Sequence, residues 1–216
     1  MKYQFSYSST KQLTQMKPYS ILLLTIFSLA CKKSATIDYQ TAYKLSPTDT
    51  MRMVANGDTI ETYSVDYIGL IGAQLPEFTA RTLDDKEIDH TYFAGKVSVI
   101  NFWFEGCHSC ELEMPVFNRL VEKYKNQDVN FLAIGRNSPD DIKDFLIRSP
   151  FNFDHIGYGE PIIVDTFKSV WGYPITFVAD KDRKIVLVSR GLGDTTKVTD
   201  AQMAFVQAID DALADK

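Results

Sequence analysis

Residues 96–115 have the sequence KVSVINFWFEGCHSCELEMP, in which two closely spaced cysteines follow a long apolar run. Lys96 to Phe104 is nearly all apolar, β-branched or aromatic, which predicts a strand buried on both faces. From His108 to Lys125, apolar residues recur at helical spacing, which predicts a helix. Pro115 lies inside that helix and is expected to kink it.

Cys107 and Cys110 lie at the junction of this strand and helix. Cysteines at positions i and i+3 of a first helical turn are close enough to form a small disulfide. The first thiol meets free N–H groups and the helix dipole, which favour its thiolate. A nucleophilic thiol with a second thiol one turn away suits disulfide exchange. The spacing also fits half of a metal site or a structural disulfide, so three interpretations stay open here.

The rest of the chain predicts an α/β domain. The order is a β-hairpin, a strand, a helix, a strand, a helix, a short helix, two strands and a closing helix. Strands separated by a helix need a crossover and are parallel, whereas the last two form an antiparallel hairpin, so the sheet is mixed with helices on both faces. The strands are expected in EFTARTLDDKEID, KVSVINFWF, DVNFLAIG, YPITFVAD and KIVLVSR, and the main helices near His108, Ser138 and Val198.

The N-terminus predicts export. Met1 to Ser20 carries three lysines and no acidic residue, the apolar run ILLLTIFSLA follows, and Cys31 comes next. This order resembles a signal peptide with the lipobox of bacterial lipoproteins, in which the cysteine is lipidated. A plain secretion signal and an uncleaved anchor are the alternatives, and all three place the rest outside the cytoplasm. We expect a signal peptide over 1–31, a polar tether over 32–58 and the folded domain over 59–216.

The composition fits an exported globular domain. The 216 residues are 45% hydrophobic and 24% charged, with a net charge of −5. An acidic chain lacks the basic face that nucleic-acid binding needs, so no nucleic-acid partner is expected. Cleavage would remove three lysines and leave 20 basic against 28 acidic residues, a charge of −8. Such a domain is not attracted to anionic lipid, so its membrane contact would depend on the lipid anchor.

Several motifs occur together: Phe102-Trp103, the CxxC pair, Pro115 and GYPITFVAD, with LPEFTARTLDDKEI before the buried strand. From about Ala73 to the C-terminus they resemble the thioredoxin superfamily, and within it the membrane-tethered TlpA/ResA-type thiol–disulfide oxidoreductases. The resemblance implies a thioredoxin-like fold, a mixed central β-sheet flanked by helices, with an N-terminal β-hairpin extension. It implies no cofactor, exported proteins with disulfides as clients, apocytochrome c among them, and a membrane thiol electron donor.

The resemblance also implies roles for single residues. Cys107 would be the attacking thiol and Cys110 the buried resolving thiol. Glu113 matches an acidic residue kept near the cysteines in this branch and would exchange a proton with Cys110. Pro174 would be a cis-proline opposite the disulfide, which would leave the backbone of Tyr173 free to pair with an extended client strand.

Three further residues complete the substrate-binding candidates: Trp103, Gly106 and His108. Trp103 is also expected to belong to the core. Gly106 stands where the family usually has Trp before the first cysteine, which alters the rim that faces the substrate. Asn101 stands where cytoplasmic thioredoxins carry a buried Asp, so that acid–base role would pass to Glu113.

The charges near the cysteines bear on the direction of electron flow. A protonated His108 would stabilise the Cys107 thiolate and favour an oxidising couple. Three acidic residues oppose it, Glu105, Glu111 and Glu113, and no Lys or Arg is adjacent in the sequence. Because negative charge disfavours a thiolate, the balance predicts a reductant.

Other interpretations of the cysteine pair have less support. A structural zinc site usually needs four ligands, and the chain has only three histidines, so no metal is expected. Haem attachment needs His after the second cysteine, where Glu111 stands, and a peroxidase of this superfamily needs Thr where Phe104 stands. A disulfide loop this short restricts the unfolded chain little, which argues against a purely structural bond. A thioredoxin-like lipoprotein that only binds partners remains the alternative function.

Overall fold

The structure, a computed structural model, describes residues 36–55, 58–169, 172–191 and 198–215. The predictions of a signal peptide and of lipidation at Cys31 lie outside these residues. The strands are β1 (Ile37–Asp38), β2 (Thr48–Ala55), β3 (Asp58–Val65), β4 (Ala73–Gln74), β5 (Ala80–Arg81), β6 (Glu87–Ile88), β7 (Val97–Trp103), β8 (Val129–Gly135), β9 (Asp154–Ile156), β10 (Ile175–Ala179) and β11 (Ile185–Ser189). The helices are α1 (Tyr39–Leu45), α2 (His90–Phe93), α3 (His108–Tyr124), α4 (Pro139–Arg148) and α5 (Val198–Ala214), with a 3₁₀ helix at Tyr67–Leu70 and a π-helix at Ile162–Thr166.

A five-stranded mixed sheet positions the cysteines. Its strand order is β11-β10-β7-β8-β9. β7, β8 and β9 are parallel neighbours, whereas β10 is antiparallel to both β7 and β11. The predicted thioredoxin-like α/β class with a mixed sheet is confirmed. β9 was not predicted, because three residues with a polar start, Asp154–Ile156, give no periodic signal.

The central strand β7 divides the core into two clusters. Every residue of β7 is buried, as its continuous apolar sequence predicts. Val99 and Trp103 pack in the cluster that includes α3, α4 and α5. Ile100 and Phe102 point to the opposite face, into a cluster with α1 and the π-helix. Because successive side chains of a strand alternate between faces, this one strand anchors both halves of the core.

Two hairpins precede the sheet. β5 and β6 form the hairpin predicted around Asp84-Asp85, and Asp85 has φ of 61° in its turn. β2 and β3 form a longer antiparallel hairpin in register from Thr48–Val65 to Ala55–Asp58. From the sequence alone, ETYSVDYIG (residues 61–69) predicts only a short edge strand in this second region.

The tether predicted over 32–58 needs correction where the structure describes it. Residues 39–45 form α1, in which Tyr39 and Ala42 are buried. The Tyr39 hydroxyl donates a hydrogen bond of 2.8 Å to the carbonyl of Phe167. This segment therefore belongs to the folded unit, because one helical turn places two apolar side chains against the π-helix region. Two residues at i and i+3 were too weak a pattern to reveal a helix.

Neither a membrane span nor a metal-binding cluster occurs among the described residues. None of the helices in this part of the chain is long and apolar enough to cross a membrane. In the same residues, no three His, Cys, Asp or Glu side chains converge where a metal ion could bind.

Candidate active site

A disulfide joins Cys107 and Cys110 at the end of β7. Their Cα atoms are 5.2 Å apart, within the range that a disulfide requires. Cys107 is the N-cap of α3, and its sulfur accepts a hydrogen bond of 3.3 Å from the backbone N–H of Cys110. Both cysteines are buried, with 6% and 3% of their surface exposed. The predicted position of the pair, at a strand–helix junction, is thus present.

The loop before β10 lies against this first helical turn. The Tyr173–Pro174 peptide bond is cis, and Pro174 is buried. β10 runs antiparallel to β7 and places Ile175 opposite Phe102, so the chain just before β10 reaches the end of β7 that leads to the cysteines. The Ser109 hydroxyl donates to the carbonyl of Tyr173 at 3.4 Å. The structure therefore brings Tyr173 and Pro174 to the CxxC turn, and their role toward clients stays a prediction.

Glu113 lies one turn after Cys110 on α3. Positions i and i+3 share a face of a helix, and both side chains are buried. Only 3% of Glu113 is exposed. The arrangement suits proton exchange with Cys110, the role predicted for Glu113.

Trp103 is misplaced among the substrate-binding candidates. Its side chain has 0% exposure and packs against Phe145, Phe151 and His155, with ring centroids 5.2, 6.0 and 5.6 Å away. A client on the surface does not reach it. Because successive side chains of a strand alternate between faces, Trp103 points into the core on the side of α4. The expectation that Trp103 belongs to the core is correct.

Gly106 and His108 are exposed on either side of Cys107. Gly106 has φ of 86°, a backbone conformation that other residues rarely adopt. A Cβ atom added there would meet no atom within 4 Å, so the glycine leaves open space on the approach to Cys107. Both residues therefore stand where a client could contact them.

Asn101 lies in β7 and is buried. Its side-chain amide donates a hydrogen bond of 2.9 Å to the hydroxyl of Thr176 on β10. This bond joins the two central strands below the cysteines. Asn101 has no ionisable group, which leaves proton transfer near Cys110 to another residue.

An arginine from a distant part of the chain alters the charge around the cysteines. Arg148, at the end of α4, pairs with Glu105 with 2.8 Å between Nη2 and Oε1. Glu111 accepts a hydrogen bond from the backbone N–H of Gly106 at 3.2 Å. No cation was predicted near Cys107 from the sequence, because Arg148 lies 43 positions from Glu105 along the chain. Part of the predicted negative charge is thus compensated.

A small cavity of about 230 Å³ adjoins the loop that carries Tyr173. Its lining residues are Phe104, Arg136, Asn137 and Glu160. The Tyr173 ring packs edge-on to Phe104 at 5.2 Å, and the Arg136 guanidinium lies 5.8 Å from the ring centre. Burial raises the pKa of Tyr173, so its hydroxyl stays protonated at neutral pH. None of the lining residues was a sequence-based candidate, since they come from three separate segments, which follow β7, β8 and β9.

Comparison with known proteins agrees with this geometry. Residues 71–188, more than half of the chain, match the model of the AhpC/TSA family. A thiol–disulfide oxidoreductase ResA from Bacillus thuringiensis subsp. konkukian is 32% identical over 126 residues, which cover 56% of this chain and 70% of that protein. The chain belongs to the AhpC/TSA family, as a ResA-type thiol–disulfide oxidoreductase.

A second ResA-type protein supports the assignment, and two solved structures share the fold. A ResA from Geobacillus thermodenitrificans is 30% identical over 128 residues, covering 56% of this chain and 70% of that protein. A proposed thiol:disulfide interchange protein DsbE from Chlorobium tepidum has a TM-score of 0.58 at 23% identity, covering 70% of this chain and all of that one. A proposed protein disulfide isomerase from Bacteroides thetaiotaomicron has a TM-score of 0.59 at 23% identity, covering 67% and 91%. These structures show that this ResA-type chain shares their fold.

Proposed function

We propose that this protein reduces disulfides of exported proteins through Cys107 and Cys110. One observation carries the proposal: the pair closes a disulfide at the start of α3, directly beside the Tyr173–Pro174 loop. A disulfide that only braced the fold would not need exposed residues such as Gly106 and His108 on either side of its first cysteine. The family assignment supports the same chemistry.

The reaction would exchange two electrons in two steps. The Cys107 thiolate attacks a client disulfide, so that a Cys107–client disulfide forms and one client thiolate leaves. Cys110 then loses its proton and attacks the Cys107 sulfur, which forms the Cys107–Cys110 disulfide and releases the second client thiolate. The protein dithiol has become a disulfide, and the client disulfide, with two protons, has become two thiols.

Glu113 would take the Cys110 proton in the second step. Transfer to the Glu113 carboxylate produces a neutral acid one helical turn from Cys110, on the same buried face of α3. In the return half of the cycle, the same acid would protonate Cys110 as a donor reduces the pair.

The direction of electron flow follows from the residues around Cys107. Glu111 and Glu113 disfavour a thiolate, whereas Arg148 offsets Glu105 and a protonated His108 would act the other way. With a net acidic setting, the pair is expected to donate electrons. The electron donor would be a membrane thiol protein, and apocytochrome c is one client class that fits.

We place the protein outside the cytoplasm, held at the membrane through a lipid on Cys31. The basic and apolar leader supports export, and disulfide exchange needs clients that carry disulfides. A redox-inactive lipoprotein that only binds partners is the alternative that the experiment must exclude.

The decisive experiment measures turnover and potential together. The mature protein is equilibrated with glutathione buffers of defined potential, and an alkylating mass tag counts the free thiols at Cys107 and Cys110. We expect a single two-electron transition, together with reduction of insulin that Cys107→Ser abolishes. A protein that shows the transition but turns over no disulfide substrate would be the binding module instead.

The client is sought with a trapping variant. Cys110→Ala should hold clients as mixed disulfides on Cys107, since the resolving thiol is missing. Cys107→Ala is the matched control and should trap none. Trapped clients that carry oxidised cysteines in the absence of this protein support reduction, whereas clients that lose disulfides they normally keep would show the opposite direction.

A further inference from the structure

Ser109 lies between the two cysteines and contacts both sides of the site. Its hydroxyl oxygen is 3.7 Å from the sulfur of Cys107 and 3.4 Å from the carbonyl oxygen of Tyr173. The side chain is exposed, and both contacts are longer than a strong hydroxyl hydrogen bond. The hydroxyl is thus within reach of two acceptors and firmly bound to neither.

The hydroxyl has one proton to donate to these two acceptors. In the disulfide form, the Cys107 sulfur is neutral and a weak acceptor, so the Tyr173 carbonyl is the better partner. After reduction, Cys107 becomes a thiolate at the start of α3, and hydrogen bonds to an ionised acceptor are about twice as strong as neutral ones. The preferred acceptor of the single proton therefore changes with the redox state.

We propose that Ser109 is a redox-dependent positioning residue whose hydroxyl bonds the Tyr173 carbonyl in the oxidised protein and the Cys107 sulfur in the reduced protein. This inference rests on the proposed function. The CxxC spacing itself does not require a serine at position 109.

The exchange would link the chemistry of Cys107 to the binding of a client. In the reduced protein the Tyr173 carbonyl is released, so it can accept a hydrogen bond from the backbone N–H of an extended client. In the oxidised protein Ser109 competes for that carbonyl, which favours departure of the reduced product. Reduced protein would therefore hold a client segment more tightly than oxidised protein holds the same segment.

Other charged groups also act on Cys107 and must stay unchanged in the test. On α3 these are His108, Glu111 and Glu113. On the packed loops and helices they are Glu105, Arg136, Arg148 and Glu160. A change confined to Ser109 leaves all of these charges in place, so a shift in thiol reactivity would report the hydroxyl itself.

The first measurement uses Ser109→Ala and Ser109→Thr in the full chain. The rate at which iodoacetamide labels Cys107 is followed against pH, with mass spectrometry assigning the label. Alanine should move the midpoint of the profile to higher pH and lower the labelling rate at neutral pH about tenfold, the size of one charge-assisted hydrogen bond. Threonine keeps the hydroxyl and should restore the profile.

The second measurement uses an extended octapeptide with a central S-methylcysteine, which binds but cannot exchange. Wild-type protein should bind it more tightly when reduced than when oxidised. Ser109→Ala should raise the affinity of the oxidised form about fivefold, the size of one net hydrogen bond, and so reduce the difference between the two forms.

The proposed role predicts that Ser109→Ala lowers the labelling rate of the reduced protein and raises the peptide affinity of the oxidised protein. A merely structural role would not produce this combination. A labelling profile unchanged by alanine, equal peptide affinities in both wild-type redox forms, or a threonine variant that behaves like alanine would each overturn the proposal. Insulin reduction by the wild type is recorded alongside. If the wild type fails there, the proposed function itself has failed; if it succeeds and the variants are unchanged, only the role of Ser109 has failed.

Discussion

Arg148 Nη2 lies 2.8 Å from Glu105 Oε1, two residues before the Cys107 nucleophile. The pair links the end of α4 to the loop that leads into α3. Arg148→Ala would leave the Glu105 charge uncompensated, which disfavours the Cys107 thiolate and makes the couple more reducing. Because the Arg148 side chain is 64% exposed, the effect should be about 0.2–1 kcal/mol, or up to about 20 mV in a glutathione titration.

Glu105→Gln is the matched control for that pair. Removing the carboxylate should move the potential in the opposite direction, toward a more oxidising couple. The double variant carries neither charge, so its potential should lie between the potentials of the two single variants. Equal potentials in wild type and Arg148→Ala would show that the ion pair has no influence on Cys107.

Glu113→Gln should slow the thiol chemistry without unfolding the protein. The amide has nearly the same size but cannot exchange a proton with Cys110, so insulin reduction should fall about 10²-fold. Glu122→Gln is the control, because Glu122 lies on the same helix, is exposed and pairs with Lys125 away from the cysteines. The prediction fails if both variants retain wild-type rates between pH 6 and 8.

Gly106→Ala should affect stability and reactivity together. Gly106 has φ of 86°, so a Cβ there costs about 1–2 kcal/mol even though no atom lies close to it. Gly95→Ala offers a matched control, because Gly95 also has positive φ and open space but lies in the turn after α2. Urea unfolding should show similar losses in both variants, while only Gly106→Ala should slow alkylation of Cys107. Equal alkylation rates would show that the space beside Gly106 does not serve access to the thiol.

The parts of the fold that were predictable are those with continuous patterns. The apolar sequence of β7 and the helical spacing of α3 are enough to place Cys107 where a buried strand meets a helix. α1 was missed because only Tyr39 and Ala42 mark its buried face. Its stability comes from contacts with the distant π-helix region, which local sequence does not reveal.

The site was predictable only in part, for a related reason. The cysteines and the Tyr173–Pro174 loop carry recognisable motifs, whereas Arg148 reaches the site from the end of α4 and Arg136 from the end of β8. Charge balance judged from neighbours in the sequence therefore overstated the negative field at Cys107. Trp103 shows the opposite error, since its closeness to Cys107 in sequence does not bring it to the surface.

Tyr39→Ala tests the corrected N-terminal boundary. Tyr39 is 2% exposed, and its hydroxyl bonds the Phe167 carbonyl, so truncation should cost about 3–5 kcal/mol of unfolding free energy. Tyr43→Ala, on the same helix but only half-buried, should cost clearly less. A Tyr39→Ala variant as stable as the wild type in urea would mean that residues 36–46 act as the tether that the sequence suggested.

His155 should make the fold sensitive to acid. It is 4% exposed between Trp103 and Phe151, and burial lowers its pKa despite the hydrogen bond between Nε2 and the Phe151 carbonyl. His155 therefore binds a proton near pH 6.5 in the unfolded chain, but only at lower pH in the folded protein. Stability is retained above that pH and falls as the pH drops toward the folded pKa, by at most about 1.4 kcal/mol per pH unit. Urea unfolding at pH 7.5 and 5.5 measures this loss. His155→Phe should remove this loss of stability, whereas His90→Gln, at an exposed position, should leave it unchanged. An equal pH dependence in wild type and His155→Phe would assign the acid sensitivity to other groups.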